Sequence, residues 1–443
     1  MREGSLEAPK RHPIAWQDPD FYDADKLDGE LRRVFDICHI CRRCFNLCES
    51  FPRLFDLIDA AATGELNSVD SAGFAPVVEA CTLCDMCFMT KCPYVPPHAF
   101  DVDFPHLMLR ARAVATRAHK PPLAEREMAA TDRNGRLAGL AAGVVNWATD
   151  VSNTRLRAAM ERHAGLHHEA VLPRYASRGF TAKAAATPEL NRSAPAFGRK
   201  VVLYSTCFVS WNEPGVGMAA RDVLARNGVE TEIVYPRCCG MPLLEQGRIA
   251  EVAENARAVS RELAGWIDRG YDVVALVPSC ALMLKFEWPL ILPDDAAVKR
   301  LAAATYDLSE YVVDIARKEG MAPGMQNVPG TIVVHIACHA RAQNMGQKAA
   351  EMLRLLPEAA LQVIERCSGH GGAWGFRTEN FPVALKVGRP VARQARDGDI
   401  LTSECPLAGE HILQGVERQG GDKRPELVTH PIQLIARAYG ITA

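Results

Sequence analysis

The chain has no hydrophobic run long enough to cross a bilayer. The nearest, Leu137–Ala148 (LAGLAAGVVNWA), has twelve residues where about 20 are needed. Met1–Asp20 is polar and contains prolines, so no secretory signal is expected at the start. An excess of one charge is also lacking. Lys and Arg number 51 against 53 Asp and Glu, a net −2, which gives no whole-chain electrostatic case for nucleic acid. No G-x-G-x-x-G follows a strand-like run, and nothing resembles a flavin or nicotinamide signature. The 443 residues, 48% hydrophobic and 23% charged, predict a soluble protein of two to four domains.

Cysteine is plentiful: there are 15. Eight fall in two runs, Cys38-His-Ile-Cys41-Arg-Arg-Cys44-Phe-Asn-Leu-Cys48 and Cys81-Thr-Leu-Cys84-Asp-Met-Cys87-Phe-Met-Thr-Lys-Cys92-Pro93. Three cysteines at steps of three, then a fourth a few residues on, is the spacing of a cubane [4Fe-4S] site. The last cysteine of such a run ligates the other cluster. Cys38, Cys41, Cys44 and Cys92 are therefore assigned to one cluster, and Cys81, Cys84, Cys87 and Cys48 to its twin. Zinc sites use pairs of cysteines rather than triples. Disulfides suit secreted chains. Two details depart from the usual ferredoxin pattern: Glu49 rather than proline follows Cys48, and four residues precede Cys92. The long insert Glu49–Ala80, with helices expected at Phe51–Ala62 and Ala75–Ala80, points to a helical ferredoxin. Thiolate ligation implies a reducing compartment, hence cytoplasm, with peripheral attachment to the inner face of the cytoplasmic membrane left open.

Residues 1–30 read as an N-terminal arm, with Trp16, Phe21 and Tyr22 available to pin it. A helix at Leu27–Phe35 opens the ferredoxin domain, residues 31–104. Phe45 and Phe88 are expected to keep water off the clusters. Residues 105–195 read as a basic helical connector and linker. Helices are expected at His106–His119, Leu123–Thr131, Leu137–Ala148 and Thr154–Gly165, and Tyr175–Ala196 has linker composition. Between Phe104 and Arg162, ten basic residues face five acidic ones. A solvated face is the plainer reading, and an anionic membrane surface or a partner the sharper one.

From Lys200 strands and helices alternate. Strand-like runs at Lys200–Ser205, Thr231–Tyr235 and Asp272–Pro278 end at Cys207, Cys238-Cys239 and Cys280, with helices at Pro214–Asn227 and Glu251–Asp268 between them. The pattern repeats: Thr331–Ile336, Leu361–Glu365 and Asp399–Ser403 end at Cys338, Cys367 and Cys405. Equivalent cysteines are offset by 131, 128 and 125 residues. YVVDIARKEG (Tyr311–Gly320) also resembles PIQLIARAYG (Pro431–Gly440). The expected fold is therefore α/β, an α-helical 2[4Fe-4S] ferredoxin domain followed by two homologous βαβαβ parallel-sheet units, residues 196–325 and 326–443. Ligands gather at the carboxyl ends of such strands. Cys207, Cys238, Cys239 and Cys280 should converge, and so should Cys338, Cys367 and Cys405. These seven join the eight ferredoxin cysteines as candidate metal ligands.

Two units of Cys…Cys-Cys-Gly…Ser-Cys resemble the cysteine-rich CCG domain. That domain occurs in the heterodisulfide reductase B-type proteins, the glycolate oxidase iron–sulfur protein and the GlpC-like proteins of anaerobic glycerol-3-phosphate dehydrogenase. Ser279-Cys280-Ala-Leu-Met-Leu-Lys285, Cys239-Gly240-Met-Pro242 and His430-Pro431 look most like the last group. The resemblance covers the ferredoxin runs and both units, roughly three quarters of the chain. Met283 and Ala408 stand where the heterodisulfide reductase has second cysteines, and Ser368 where a paired cysteine would be. The five-thiolate cluster of that reductase is therefore not carried over whole. The first unit keeps four thiolates, enough for a further Fe–S cluster (or zinc). The second keeps three, leaving a position open.

His335, His339 and His370 crowd the second site in sequence. His339, His370 and Cys367 are the catalytic candidates, a histidine serving as ligand or proton donor. The glycines of 369–375 need be no more than a tight turn. The resemblance implies an iron–sulfur oxidoreductase or electron-transfer subunit, working with a flavoprotein dehydrogenase or other redox protein and with the quinone pool. Two alternatives stand beside it: a disulfide reductase, and a zinc-stabilised scaffold.

Overall fold

A computed structural model describes residues 9–420 and 423–441. Its strands are β1 (Lys200–Tyr204), β2 (Glu230–Val234), β3 (Asp272–Ala275), β4 (Thr305–Asp307), β5 (Thr331–His335), β6 (Ala360–Ile364), β7 (Ile400–Ser403) and β8 (Glu426–Val428). They form two four-stranded sheets, ordered β2-β1-β3-β4 and β6-β5-β7-β8. Every pairing is parallel. The duplicated α/β architecture expected from the cysteine offsets is thus present.

Each sheet has one strand more than the sequence pattern indicated. β4 and β8 are three residues each, too short for a period-two signal. Each leads into one of the matched helices, Leu308–Lys318 and Pro431–Ala438. Asp307 and His430 cap these helices with reciprocal partners Glu310 and Gln433. Central strands are apolar on both faces because helices cover both. Val201, Val202, Leu203 and Tyr204 are all buried.

The N-terminal region is helical. The helix expected at Leu27–Phe35 runs from Ala24 to Cys41 and carries Cys38 and Cys41 on its last turn. Arg42, in the left-handed region, ends it. Phe35, Phe51 and Phe104 pack into a core continuous with both sheets. The connector forms helices Phe104–Ala118, Leu123–Ala129, Thr131–Leu140, Ala142–Thr149 and Thr154–Ala164. The single helix expected at Leu137–Ala148 is therefore broken at Ala141. Residues 175–196 lie against the first unit, where Arg221 donates to the carbonyls of Ala184 and Ala186. Trp16 pins the arm by donating to the Ile291 carbonyl at 2.8 Å. Among the described residues, no helix is long and apolar enough to cross a membrane.

Candidate iron–sulfur centres

Cys92 sits with the first cysteine run and Cys48 with the second, the crossed arrangement read from spacing. Burial, then the neighbouring sulfurs of Cys92, Cys44 and Cys41, raises the Cys38 thiol well above its usual range. Cys44 is pushed up to about 12 by burial and by Cys92 and Cys41. Ile37, Phe51, Phe55, Tyr94 and Val102 line the space between these four. Cys48 is raised by burial, then by Cys84 and Cys81. Cys87 is raised by burial, then by Cys84, Cys81 and Cys48. Phe88 is buried, with the Arg11 guanidinium 4.4 Å from its ring centre. Phe45 is 58% exposed and reaches the first set only through Phe55, on which it stacks.

The second ferredoxin set adjoins the second α/β unit. Cys84 and Cys48 both feel Cys367. Cys338 is raised by burial, then by Cys84, Cys367 and Cys405. The three carboxyl-end cysteines of that sheet thus gather as the fold predicts, against Cys84.

In the first unit Cys207 and Cys238 have sulfurs 3.7 Å apart. Its hydrogen bonds with Cys207 and Cys239 hold the Cys238 thiol well below its usual range. The Cys239 thiol is raised by its bonds to Cys238 and Cys280. Gly240, with a positive φ, gives its N–H to the Cys238 sulfur at 3.4 Å. A connector helix closes over this set. Asp132 accepts the Cys238 N–H at 3.0 Å and the Tyr235 hydroxyl.

The histidines separate by their partners. His335 is satisfied at both nitrogens, by the Ser403 hydroxyl and the Arg366 carbonyl, each at 2.9 Å. Desolvation holds it down to about 4, as expected of a packed neutral imidazole. His339 lies between Ser279 and Leu83. His370 is 4% exposed, and among the described residues neither ring nitrogen has a hydrogen-bond partner. It packs beside Phe376 and His411 rather than accepting any protein hydrogen bond.

This donor set fits metal clusters. Apart from Cys238, the thiols described above are raised by burial and by one another; such thiols are poor anions alone and become stable thiolates beside a cation. A single tetrahedral ion with bonds of about 2.3 Å needs sulfurs about 3.8 Å apart. Cys207 and Cys238 meet that spacing, yet among the described residues no third sulfur lies within 4.8 Å of both. The spread suits a polynuclear centre better than one zinc ion.

Several site residues carry no local sequence signal. Asp132 precedes Cys238 by 106 residues. Arg112 donates to the carbonyls of Val78, Cys81 and Glu245, tying the second cysteine run to the first unit. Burial lifts the Glu245 carboxyl to about 7, with Arg112 opposing. Only the folded chain brings these groups to the cysteines.

A helical domain with two crossed cysteine runs, joined to two parallel sheets edged with cysteine, defines an iron–sulfur oxidoreductase subunit. Residues 31–118 match the Fer4-like domain of citrate utilization protein B, and residues 201–285 match the cysteine-rich CCG domain. The chain is 27% identical over 354 residues to the C subunit of the anaerobic glycerol-3-phosphate dehydrogenase of Escherichia coli, covering 76% of this chain and 82% of that one. It is 31% identical over 211 residues to lactate utilization protein A of Geobacillus thermodenitrificans, covering 45% of this chain and 80% of that one. Over 251 residues it is 26% identical to the B subunit of the fumarate reductase (CoM/CoB) of Methanothermobacter marburgensis, covering 55% and 47%. The chain belongs to the family of iron–sulfur oxidoreductase subunits that combine a Fer4-like domain with cysteine-rich CCG domains.

Proposed function

We propose that this chain is the electron-transfer subunit of a multi-subunit oxidoreductase. Cys38, Cys41, Cys44 and Cys92 hold one [4Fe-4S] cluster. Cys48, Cys81, Cys84 and Cys87 hold the second. Cys207, Cys238, Cys239 and Cys280 hold a further cluster, and Cys338, Cys367 and Cys405 offer a three-thiolate site. Such groups supply one-electron transfer. The observation that carries the reading is the crossed grouping of Cys92 and Cys48. The adjacency of Cys84 to Cys338 and Cys367 supports contact between the ferredoxin region and the second unit.

The partner is a flavoprotein dehydrogenase or another redox protein. The relatives' names, subunits of a dehydrogenase and of a reductase, support a complex. Leu137, Leu140, Val144 and Trp147 are all at least 60% exposed on consecutive connector helices flanked by Arg133 and Arg136. That face supports attachment to an anionic membrane surface beside the quinone pool. A second reading, a disulfide reductase, rests on the position left open where Ser368 and Ala408 replace cysteine.

Iron analysis and EPR of anaerobically purified protein test the reading. Two cubanes alone give about eight irons per chain, and loaded α/β units give more. Cys92→Ser should alter the signal that Cys38→Ser alters and spare the one that Cys84→Ser alters. A colourless protein, or zinc in place of the iron beyond eight, would overturn it.

A further inference from the structure

Three cysteine-bearing segments distant in sequence meet at one imidazole. His339 follows Cys338 on the short helix Cys338–Ala342 and is 8% exposed. Its Nδ1 lies 2.8 Å from the hydroxyl of Ser279, the residue before Cys280. Its Nε2 lies 3.4 Å from the carbonyl of Leu83, the residue before Cys84. One neutral tautomer satisfies both contacts: Nε2–H donates to the Leu83 carbonyl, and Nδ1 accepts from the Ser279 hydroxyl. Leu83 sits at a positive φ of 48°, a conformation a non-glycine residue keeps only when its surroundings hold it. The same short helix is braced at its far end, where Gln343 donates to the Pro278 carbonyl at 3.4 Å and to the Asp307 carboxylate at 3.3 Å.

We propose that His339 is a positioning residue that fixes the Cys84, Cys280 and Cys338 segments relative to one another, and so sets the spacing of the metal sites they serve. The last clause rests on the functional reading above; the three-way joint itself does not. Neither nitrogen is left over for metal or substrate. His339 is thereby removed from the chemistry and assigned to the frame. Electron transfer falls steeply with distance, so a joint that fixes three loops matters more than its two hydrogen bonds suggest.

Conservative variants separate the two arms. The amide of His339→Asn reaches where Nδ1 sits and keeps the Ser279 contact. His339→Gln reaches where Nε2 sits and keeps the Leu83 contact. His339→Leu keeps neither. Hydrogen exchange on the holoprotein should show amides near 82–84 exchanging about 3- to 10-fold faster in His339→Leu and His339→Asn, but not in His339→Gln. Amides near 279–281 should accelerate in His339→Leu and His339→Gln, but not in His339→Asn. EPR of the reduced holoprotein should show weakened magnetic interaction between centres in His339→Leu, largely recovered in the two amide variants. If His339→Leu fails to fold, Ser279→Ala carries the test, with acceleration expected at 279–281 alone. Unchanged exchange at both segments in His339→Leu, or in Ser279→Ala at 279–281, overturns the proposal. A wild-type protein without iron overturns the functional reading but leaves the exchange pattern readable.

Discussion

The Arg11 guanidinium lies 3.0 Å from the Glu287 carboxylate, joining the N-terminal arm to the segment after Cys280 across 276 residues. It also meets Asp85 at 2.7 Å and Asp103 at 3.0 Å, and Asp85 stands between Cys84 and Cys87. His106 closes the group, 3.1 Å from Glu287. Removing one partner from such a buried assembly leaves the others uncompensated.

Arg11→Met should therefore destabilise the protein by about 3–5 kcal/mol. Arg11→Lys should recover less than half of that, because an ammonium cannot span the carboxylates as the guanidinium fork does. Denaturant unfolding followed by circular dichroism and cluster absorbance checks both. An unchanged midpoint for Arg11→Met would make the arm ornamental.

Four buried imidazoles should each cost stability on mild acidification. Burial holds His335 and His411 down to about 4, and His370 and His430 down to about 3. All four stay neutral in the folded chain, while the unfolded chain protonates them below their ordinary value. At these four sites the unfolded state then binds more protons, so their contribution is flat above that value and drops as pH falls toward 4, opposed by Glu245, whose raised carboxyl takes up its proton first in the folded chain. His430 accepts the Ile432 N–H as a helix cap at 3.1 Å. His430→Asn keeps an acceptor there and should make the acid slope shallower. Unfolding midpoints from pH 8 to 5 measure this.

His370→Met should raise stability. Its two unpartnered nitrogens carry a burial cost of about 1–3 kcal/mol that a thioether does not. Gly369 donates to the Cys367 sulfur as Gly240 does to that of Cys238, so Cys367 answers to Cys238 rather than Cys239 and the position equivalent to His370 is Met241. A drop in stability would mean that His370 holds something in solution, which restores its claim to a chemical role.

Leu140→Glu with Trp147→Glu should leave stability within about 0.5 kcal/mol, since both side chains are mostly exposed. The same change should weaken binding to anionic vesicles about tenfold or more in flotation assays. Equal binding by both proteins would remove the membrane from the functional reading.

What the sequence made legible is what repeats or is spaced locally. The cysteine runs, the duplicated units and the crossed grouping of Cys48 and Cys92 all carry fixed intervals. β4 and β8 escaped because three residues carry no period. Phe45 and Phe88 look alike beside their cysteines, yet one is exposed and the other lies under Arg11. Adjacency to ligands does not fix which way a side chain faces. His335, His339 and His370 form one cluster in sequence and three situations in space. Asp132, Arg112 and Arg11 were invisible because their partners lie about 30 to nearly 280 residues away.

The contact between Leu83 and His339 spans 256 residues. At roughly 5–20 residues per second, the ribosome needs on the order of ten to fifty seconds to synthesise that interval. Throughout it the Cys81–Cys92 thiols have emerged without the wall that later covers them. A chain stopped before His339 would therefore present these thiols without the second unit that covers them.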